Sequence, residues 1–263
     1  MTRVILFTTA LLFSLLTNAQ VSETRTVGAF SKIKVSSGIE LIYTQSSTQE
    51  IKVETDDNER MGYVKTEIEG STLRVYLNTE NAPKSKKKRK RKNYNSFNNV
   101  SFDVLRVYVS NTLVNDFSVN SSASLLIKNS LKTENLVVEC SSSGSFTGTI
   151  KCTTATIEVS SSADLDANII ADTIDVKASS SADARLSGTV EKVTIKSSSS
   201  SDCKAGGLIA KTAVVASSSS SDVDVYASEK LSASASSSAS INYFGNPKNV
   251  DKNESSSGSV TRR

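Results

Sequence analysis

Ile157-Glu158-Val159-Ser160-Ser161-Ser162-Ala163-Asp164-Leu165-Asp166-Ala167 returns nineteen residues later as Val176-Lys177-Ala178-Ser179-Ser180-Ser181-Ala182-Asp183-Ala184-Arg185-Leu186. On each side of the serines, apolar and polar residues alternate, which is the two-residue period of a half-buried strand. A serine cluster between two such runs reads as a bend that one strand enters and another leaves. The same unit extends in both directions, with serine clusters at Ser121-Ser122, Ser141 to Ser143, Ser197 to Ser201, Ser217 to Ser221 and Ser236 to Ser238. Taken alone, these clusters resemble a low-complexity stalk. The residues between them form columns, which a stalk has no reason to do.

The columns appear when each unit is anchored on the polar residue that closes its cluster: Ser124, Ser145, Asp164, Asp183, Asp202, Asp222 and Ser240. One position later stand Leu125, Phe146, Leu165, Ala184, Cys203, Val223 and Ile241, all apolar. Seven positions before the anchor stand Phe117, Val138, Ile157, Val176, Ile195, Val215 and Ala233. One such unit cannot bury its apolar face alone, whereas stacking the units buries a continuous column and pairs each strand with those above and below. The expected fold is therefore all-β, a single-stranded parallel β-helix (β-solenoid) with coils of about 19 residues, preceded by a strand-rich N-terminal portion. Seven coils at a strand spacing of ~4.8 Å give a rod section on the order of 34 Å long.

The rest of the chain divides around this repeat. Residues 1–20 read as a signal peptide, with Arg3 before an apolar run from Val4 to Leu16 and Thr17-Asn18-Ala19-Gln20 at the cleavage region. The run is short for a membrane span, and no later stretch approaches that length, so no integral membrane segment is expected after signal cleavage. An uncleaved anchor is the other reading. Residues 28–109 form the strand-rich part, interrupted by a basic loop at 81–98, and residues 110–261 form the serine-cornered part of the same domain. The expected location is exported, in the periplasm or at the outer cell surface.

Composition narrows the chemistry. His is absent, Trp is absent and aromatic residues make up 6% of the chain. The commonest general base and the commonest zinc ligand are thus missing. Three Cys cannot form a fully paired disulfide framework, and Cys140 and Cys203 fall in inward columns, where they read as small hydrophobes. Asp164, Asp183, Asp202 and Asp222 would stack on successive coils, where like charges repel unless solvated, paired or bridged by a cation. The Gly-rich nonapeptide of calcium-binding β-rolls is missing, so no metal ligand, cofactor or catalytic residue is assigned. The outward column Asp166, Arg185, Lys204 and Asp224 offers opposite charges between some coils, a source of register and modest stability.

The net charge of +4 hides an asymmetry. Lys84, Lys86, Lys87, Lys88, Arg89, Lys90, Arg91 and Lys92 carry eight positive charges, and without them the net charge would be −4. In an exported chain nucleic acid is not an expected partner. The run reads either as a solvated insertion or as a polyanion-binding site for an acidic glycan, lipopolysaccharide or an envelope protein.

Phe30-Ser31-Lys32-Ile33-Lys34-Val35-Ser36-Ser37-Gly38-Ile39-Glu40-Leu41 resembles the opening of the head GIN domain family of Bacteroidetes-type bacteria, whose members carry an adhesin label. Tyr43-Thr44-Gln45, Ile51-Lys52-Val53-Glu54, Gly70-Ser71-Thr72-Leu73 and the ending Tyr243-Phe244-Gly245-Asn246-Pro247 continue the resemblance over most of residues 28–261. Gly38-Ile39-Glu40 stands where the family's label has Asn third, so no role tied to that Asn transfers. The resemblance implies a β-helical fold and an envelope location, and it implies no particular ligand; the leading expectation for function is a non-enzymatic binding or adhesion module whose sheet faces present repeated polar side chains to a glycan or protein. Two other functions compete with it: a β-helical lyase or hydrolase of carbohydrates, and a purely structural envelope protein. An enzyme of that kind needs an acid and a base converging on one cleft, whereas the Asp residues here are spread along columns.

Overall fold

A computed structural model describes residues 20–80, 82, 95–97 and 100–263. The signal segment, apart from Gln20, and the basic run at 84–92 lie outside the described residues. Strands dominate, and the single helix among the described residues is one turn long.

The serine-cornered part is a parallel stack. Its strands begin with β10 (Asp116–Val119), β11 (Ser124–Lys132), β12 (Asn135–Cys140), β13 (Ser145–Lys151) and β14 (Thr154–Val159). They continue through the long strands β15 (Asp164–Ala178), β16 (Asp183–Ser197) and β17 (Asp202–Ser217). The stack ends with β18 (Asp222–Tyr226), β19 (Lys230–Ala235), β20 (Ser240–Phe244), β21 (Asn249–Glu254) and β22 (Ser259–Arg262). Strands that leave a serine corner pair with the strands leaving the next one, so Ser124, Ser145, Asp164, Asp183, Asp202, Asp222 and Ser240 fall in one register. Strands that enter the corners align Phe117, Val138, Ile157, Val176, Ile195, Val215 and Ala233. These are the columns expected from the sequence, and their apolar members are buried.

The N-terminal strands are β1 (Val21–Arg25), β2 (Lys32–Val35), β3 (Glu40–Gln45), β4 (Glu50–Thr55), β5 (Val64–Glu69) and β6 (Thr72–Leu77). A small hairpin of β7 (Asn95–Phe97) and β8 (Val100–Phe102) precedes β9 (Leu105–Asn111). Here the stack abandons chain order. β2 and β3 make one coil bent at Ser36-Ser37-Gly38, and it lies between β10 and β11 on one side and the later strands β6 and β9 on the other. Antiparallel strands then close this end: β4 on β9, β1 on β4 and β5 on β6. The helix α1 (Asn58–Met61) links β4 to β5, its N-terminus capped by the Asp57 carboxylate, which accepts from the Arg60 amide at 2.8 Å. Arg25 ties the cap together by donating from its guanidinium to the Val64 carbonyl at 2.6 Å and the Met61 carbonyl at 3.1 Å.

Core composition changes along the stack. Near the cap, Tyr43 meets Phe117 edge-on with ring centroids 5.3 Å apart, and Phe117 meets Phe146 at 5.9 Å. The Tyr43 hydroxyl donates to the Asn111 carbonyl at 2.6 Å, and burial pushes its phenol up to about 12. Farther along, Ala182, Ala184, Ala205, Ala210, Ala213, Ala233 and Ala235 take over. In the last coil the inward positions turn polar: Lys252 follows Ala233 and Glu254 follows Ala235. Lys252 Nζ donates to the Val260 carbonyl at 2.9 Å and lies over the Tyr243 ring, while Glu254 accepts from the Val260 amide at 2.6 Å. Inward-pointing charges on a last strand discourage edge-to-edge pairing with another sheet.

Candidate binding surface

The surface is built from the serine corners outward. Ser121-Ser122, Ser142-Ser143, Ser161-Ser162, Ser180-Ser181, Ser199-Ser200, Ser219-Ser220, Ser237-Ser238 and Ser256-Ser257 all have positive φ, between 45° and 63°. Ser37-Gly38 adopts the same pair at 66° and 70°. Two successive left-handed residues make a tight turn of the primed type, closed at six corners by an i to i+3 bond such as Ala163 N–H to Ser160 O at 3.2 Å. An L-residue pays about 1–2 kcal/mol for that conformation, and the cost recurs at every corner.

What offsets it is a ladder between coils. The second left-handed residue of each corner donates its amide to the carbonyl of the first in the next: Ser143 to Ser161, Ser162 to Ser180, Ser181 to Ser199, Ser200 to Ser219, at 3.0–3.1 Å. Backbone groups make these bonds, because the left-handed pair turns its amide and carbonyl along the stack. Most of the corner hydroxyls face solvent as two exposed columns.

Two corners differ. Ser197 and Ser201, and Ser217 and Ser221, occupy inward positions that are Ala178 and Ala182 in the preceding coil. Their hydroxyls bond each other at 2.8 Å and 2.7 Å, and Ser201 and Ser221 also bond the Ser198 and Ser218 carbonyls at 2.8 Å. Each buried hydroxyl is satisfied, as burial requires.

Asp164, Asp183, Asp202 and Asp222 stack in register as expected, and no group of three His, Cys, Asp or Glu side chains is placed to hold a metal ion among the described residues. Asp166 stands opposite Arg185, and Lys204 opposite Asp224, yet neither pair forms an ion pair among the described residues. This corrects the expected charge pairing: long exposed side chains gain too little in water to be held in one geometry. Asp224 instead accepts from Asn242 Nδ2 at 3.0 Å. Cys140 and Cys203 are buried free thiols, pushed up to about 12 by desolvation, and half-buried Cys152 is pushed up to about 11.

Sequence columns missed two outward aromatics, Tyr226 and Phe244, which are neighbours in register on the exit face. Strand parity was the available signal, since each lies an odd number of positions from a buried residue. Lys204, Asp224, Asn242 and Arg263 line a shallow polar groove over the last coils, and the two aromatics stand on the same outward face, two residues beyond Asp224 and Asn242 on their strands. No helix among the described residues is long and apolar enough to cross a membrane.

The geometry defines the chain as a parallel β-solenoid with serine corners and an antiparallel cap. A family model described as "Putative auto-transporter adhesin, head GIN domain" matches residues 29–168 and 147–247, and the chain belongs to that family. Solved structures share the fold. A protein of Parabacteroides distasonis described as a "putative lipid binding protein" is 23% identical with a TM-score of 0.80, covering 93% of this chain and 96% of that one. A "putative adhesin" from Parabacteroides merdae is 17% identical with a TM-score of 0.80 over 93% and 96% of the two chains. A "putative adhesin" from Bacteroides fragilis is 19% identical with a TM-score of 0.64 over 94% and 98%. A comparison with curated protein sequences gives no match.

Proposed function

We propose that this protein is an exported, non-enzymatic binding or adhesion module of the bacterial envelope, which presents repeated polar β-sheet faces to a glycan or a protein. The observation that carries this reading is the register: outward polar side chains are held at one strand spacing, ~4.8 Å, along faces that run the length of the stack. A rigid, periodic surface suits a repeating polymer, because each coil repeats the contact of the last. The adhesin names of the family and of the fold relatives support it. The basic run at 84–92 supplies a second, electrostatic contact for an acidic glycan, lipopolysaccharide or an envelope protein, its charges screened over a Debye length of about 8–10 Å.

Incubation of the purified protein with envelope polysaccharide tests the reading. Saturable binding with unchanged polymer length is the expected result; shortening of the polymer that disappears in Asp183→Asn would establish an enzyme instead. Deleting residues 84–92 should remove the salt-sensitive part of the binding, and equal binding to lipopolysaccharide at low salt by the deletion variant would eliminate the electrostatic contact. Protease treatment of intact cells distinguishes outer surface from periplasm.

A further inference from the structure

We infer that the exit face of the last coils is a subsite for a neutral sugar chain, one that stacks on Tyr226 and Phe244 and hydrogen-bonds along Lys204, Asp224, Asn242 and Arg263. The inference rests on reading the chain as a binding module, and it names a site and a ligand class within that reading.

Aromatic placement is the first argument. Beyond Asn120 the chain has four aromatic residues, of which Phe146 and Tyr243 are 1% and 7% exposed and belong to the core. The other two, Tyr226 and Phe244, point outward from adjacent strands. Each ring lies against a glycine. A Cβ on Gly206 would come within 3.2 Å of the Phe244 ring, and one on Gly245 within 3.1 Å of the Tyr226 ring. Gly206 belongs to a pair, Gly206-Gly207, at a register shift between β16 and β17, so the sheet is shaped where the ring rests. Laying two partly exposed rings against a sheet face gives apolar area that a monosaccharide's C–H face can cover.

The polar groups beside the rings are held in a line. Arg263 Nε donates to Asn242 Oδ1 at 3.1 Å, and Asn242 Nδ2 donates to Asp224 Oδ1 at 3.0 Å. This relay crosses three neighbouring strands and fixes the Asn242 amide. Lys204, opposite Asp224 on the next coil, has no hydrogen-bond or ion-pair partner among the described residues, and its ammonium is left for a ligand. Donors and acceptors thus alternate at intervals of about 4.8 Å next to an apolar platform, the combination a concave site needs to orient a polyhydroxylated ring. Charge sets the class. Asp202, Asp222 and Asp224 outnumber Lys204 and Arg263 in the groove, so uronates and other acidic sugars are repelled.

The test is a glycan array carrying neutral and uronate-containing chains, probed with the full protein, Tyr226→Ser, Asp224→Ala and Thr156→Ala, the last on the opposite face. The expected result is retention on neutral chains, reduced at least tenfold in Tyr226→Ser and Asp224→Ala and unchanged in Thr156→Ala, with all melting temperatures alike. Equal retention by Tyr226→Ser and Asp224→Ala, or no retention on any neutral chain, overturns the subsite. Retention on acidic chains alone that vanishes on deleting 84–92 overturns it too, while leaving the wider binding reading intact. Absence of binding to any glycan and to isolated envelope material sinks both.

Discussion

The capped N-terminal coils and the serine-cornered coils solve the same problem with opposite means. Near the cap, strand order departs from chain order, Tyr43 packs against Phe117 and through it Phe146 of the adjoining serine-cornered strands, and the end is covered by antiparallel strands. In the serine-cornered part, strand order follows chain order, the core is largely Val, Ile and Ala, and every corner repeats one backbone geometry. Large side chains give the first region contacts that are specific and non-repeating. The second region gains from cooperation between neighbours, each coil being stable only on the coil beside it.

The harshest way to break the repeating region is Ile195→Asp, which places an unpaired charge at an inward position that is 0% exposed. A loss of several kcal/mol is expected, enough to prevent folding, and is read as failure to recover a cooperative melt. Phe117→Ala attacks the junction of the two regions by removing the middle ring of the aromatic stack, with an expected loss of about 3–5 kcal/mol in denaturant unfolding. If the two regions unfold separately, this variant will split one transition into two.

Raising the pH weighs on the serine-cornered region. Cys140 and Cys203 have folded values raised by burial from 9.0 to about 12, so the folded state holds protons that the unfolded chain releases above pH 9. Stability is therefore intact below pH 9 and falls as pH rises from 9 towards 12, by about 1.4 kcal/mol per unit for each thiol. Unfolding midpoints at pH 7.5 and 10.5 measure this, and a Cys140→Ala, Cys203→Ala double variant should flatten the slope. Ser201→Ala should cost about 1–2 kcal/mol, because it strips the Ser197 hydroxyl and the Ser198 amide of a partner. Ser197→Ala with Ser201→Ala rebuilds the Ala178 and Ala182 corner, and the pair should be close to neutral. The smallest effect is expected at exposed corners: Ser180→Gly should change stability by less than about 1 kcal/mol, since relief at φ 55° is balanced by greater freedom of the unfolded chain.

The same contrast decides how much could be read in advance. In the serine-cornered coils each column is sampled seven times, so Ile157 and Ile195 announce their shared direction even though neither is informative alone. The N-terminal coils offer one example of each contact. Nothing in Glu40 signals that its partner strand begins near Arg106, and Ser36-Ser37-Gly38 is a corner whose neighbouring coil arrives from residues after Gly70. The candidate surface was legible in part. Column parity places Lys204 and Asp224 outward, but the resting place of the Phe244 ring depends on Gly206, two coils away, and side-chain reach across strands leaves no mark in spacing.

The corner ladder also has a mechanical meaning. Its bonds run along the stack, from one corner's amide to the next corner's carbonyl, so tension on the C-terminal end of the chain peels coils away singly rather than shearing all corners at once. It reaches the outermost coil first and opens that coil's bonds before the next is strained. A tether of this kind lengthens in steps of roughly 60 Å, the extended span of about nineteen residues less one strand spacing. Under tension from that end the serine-cornered part would act as a series of separate fuses, and the antiparallel cap, at the far end of the stack, would be reached last.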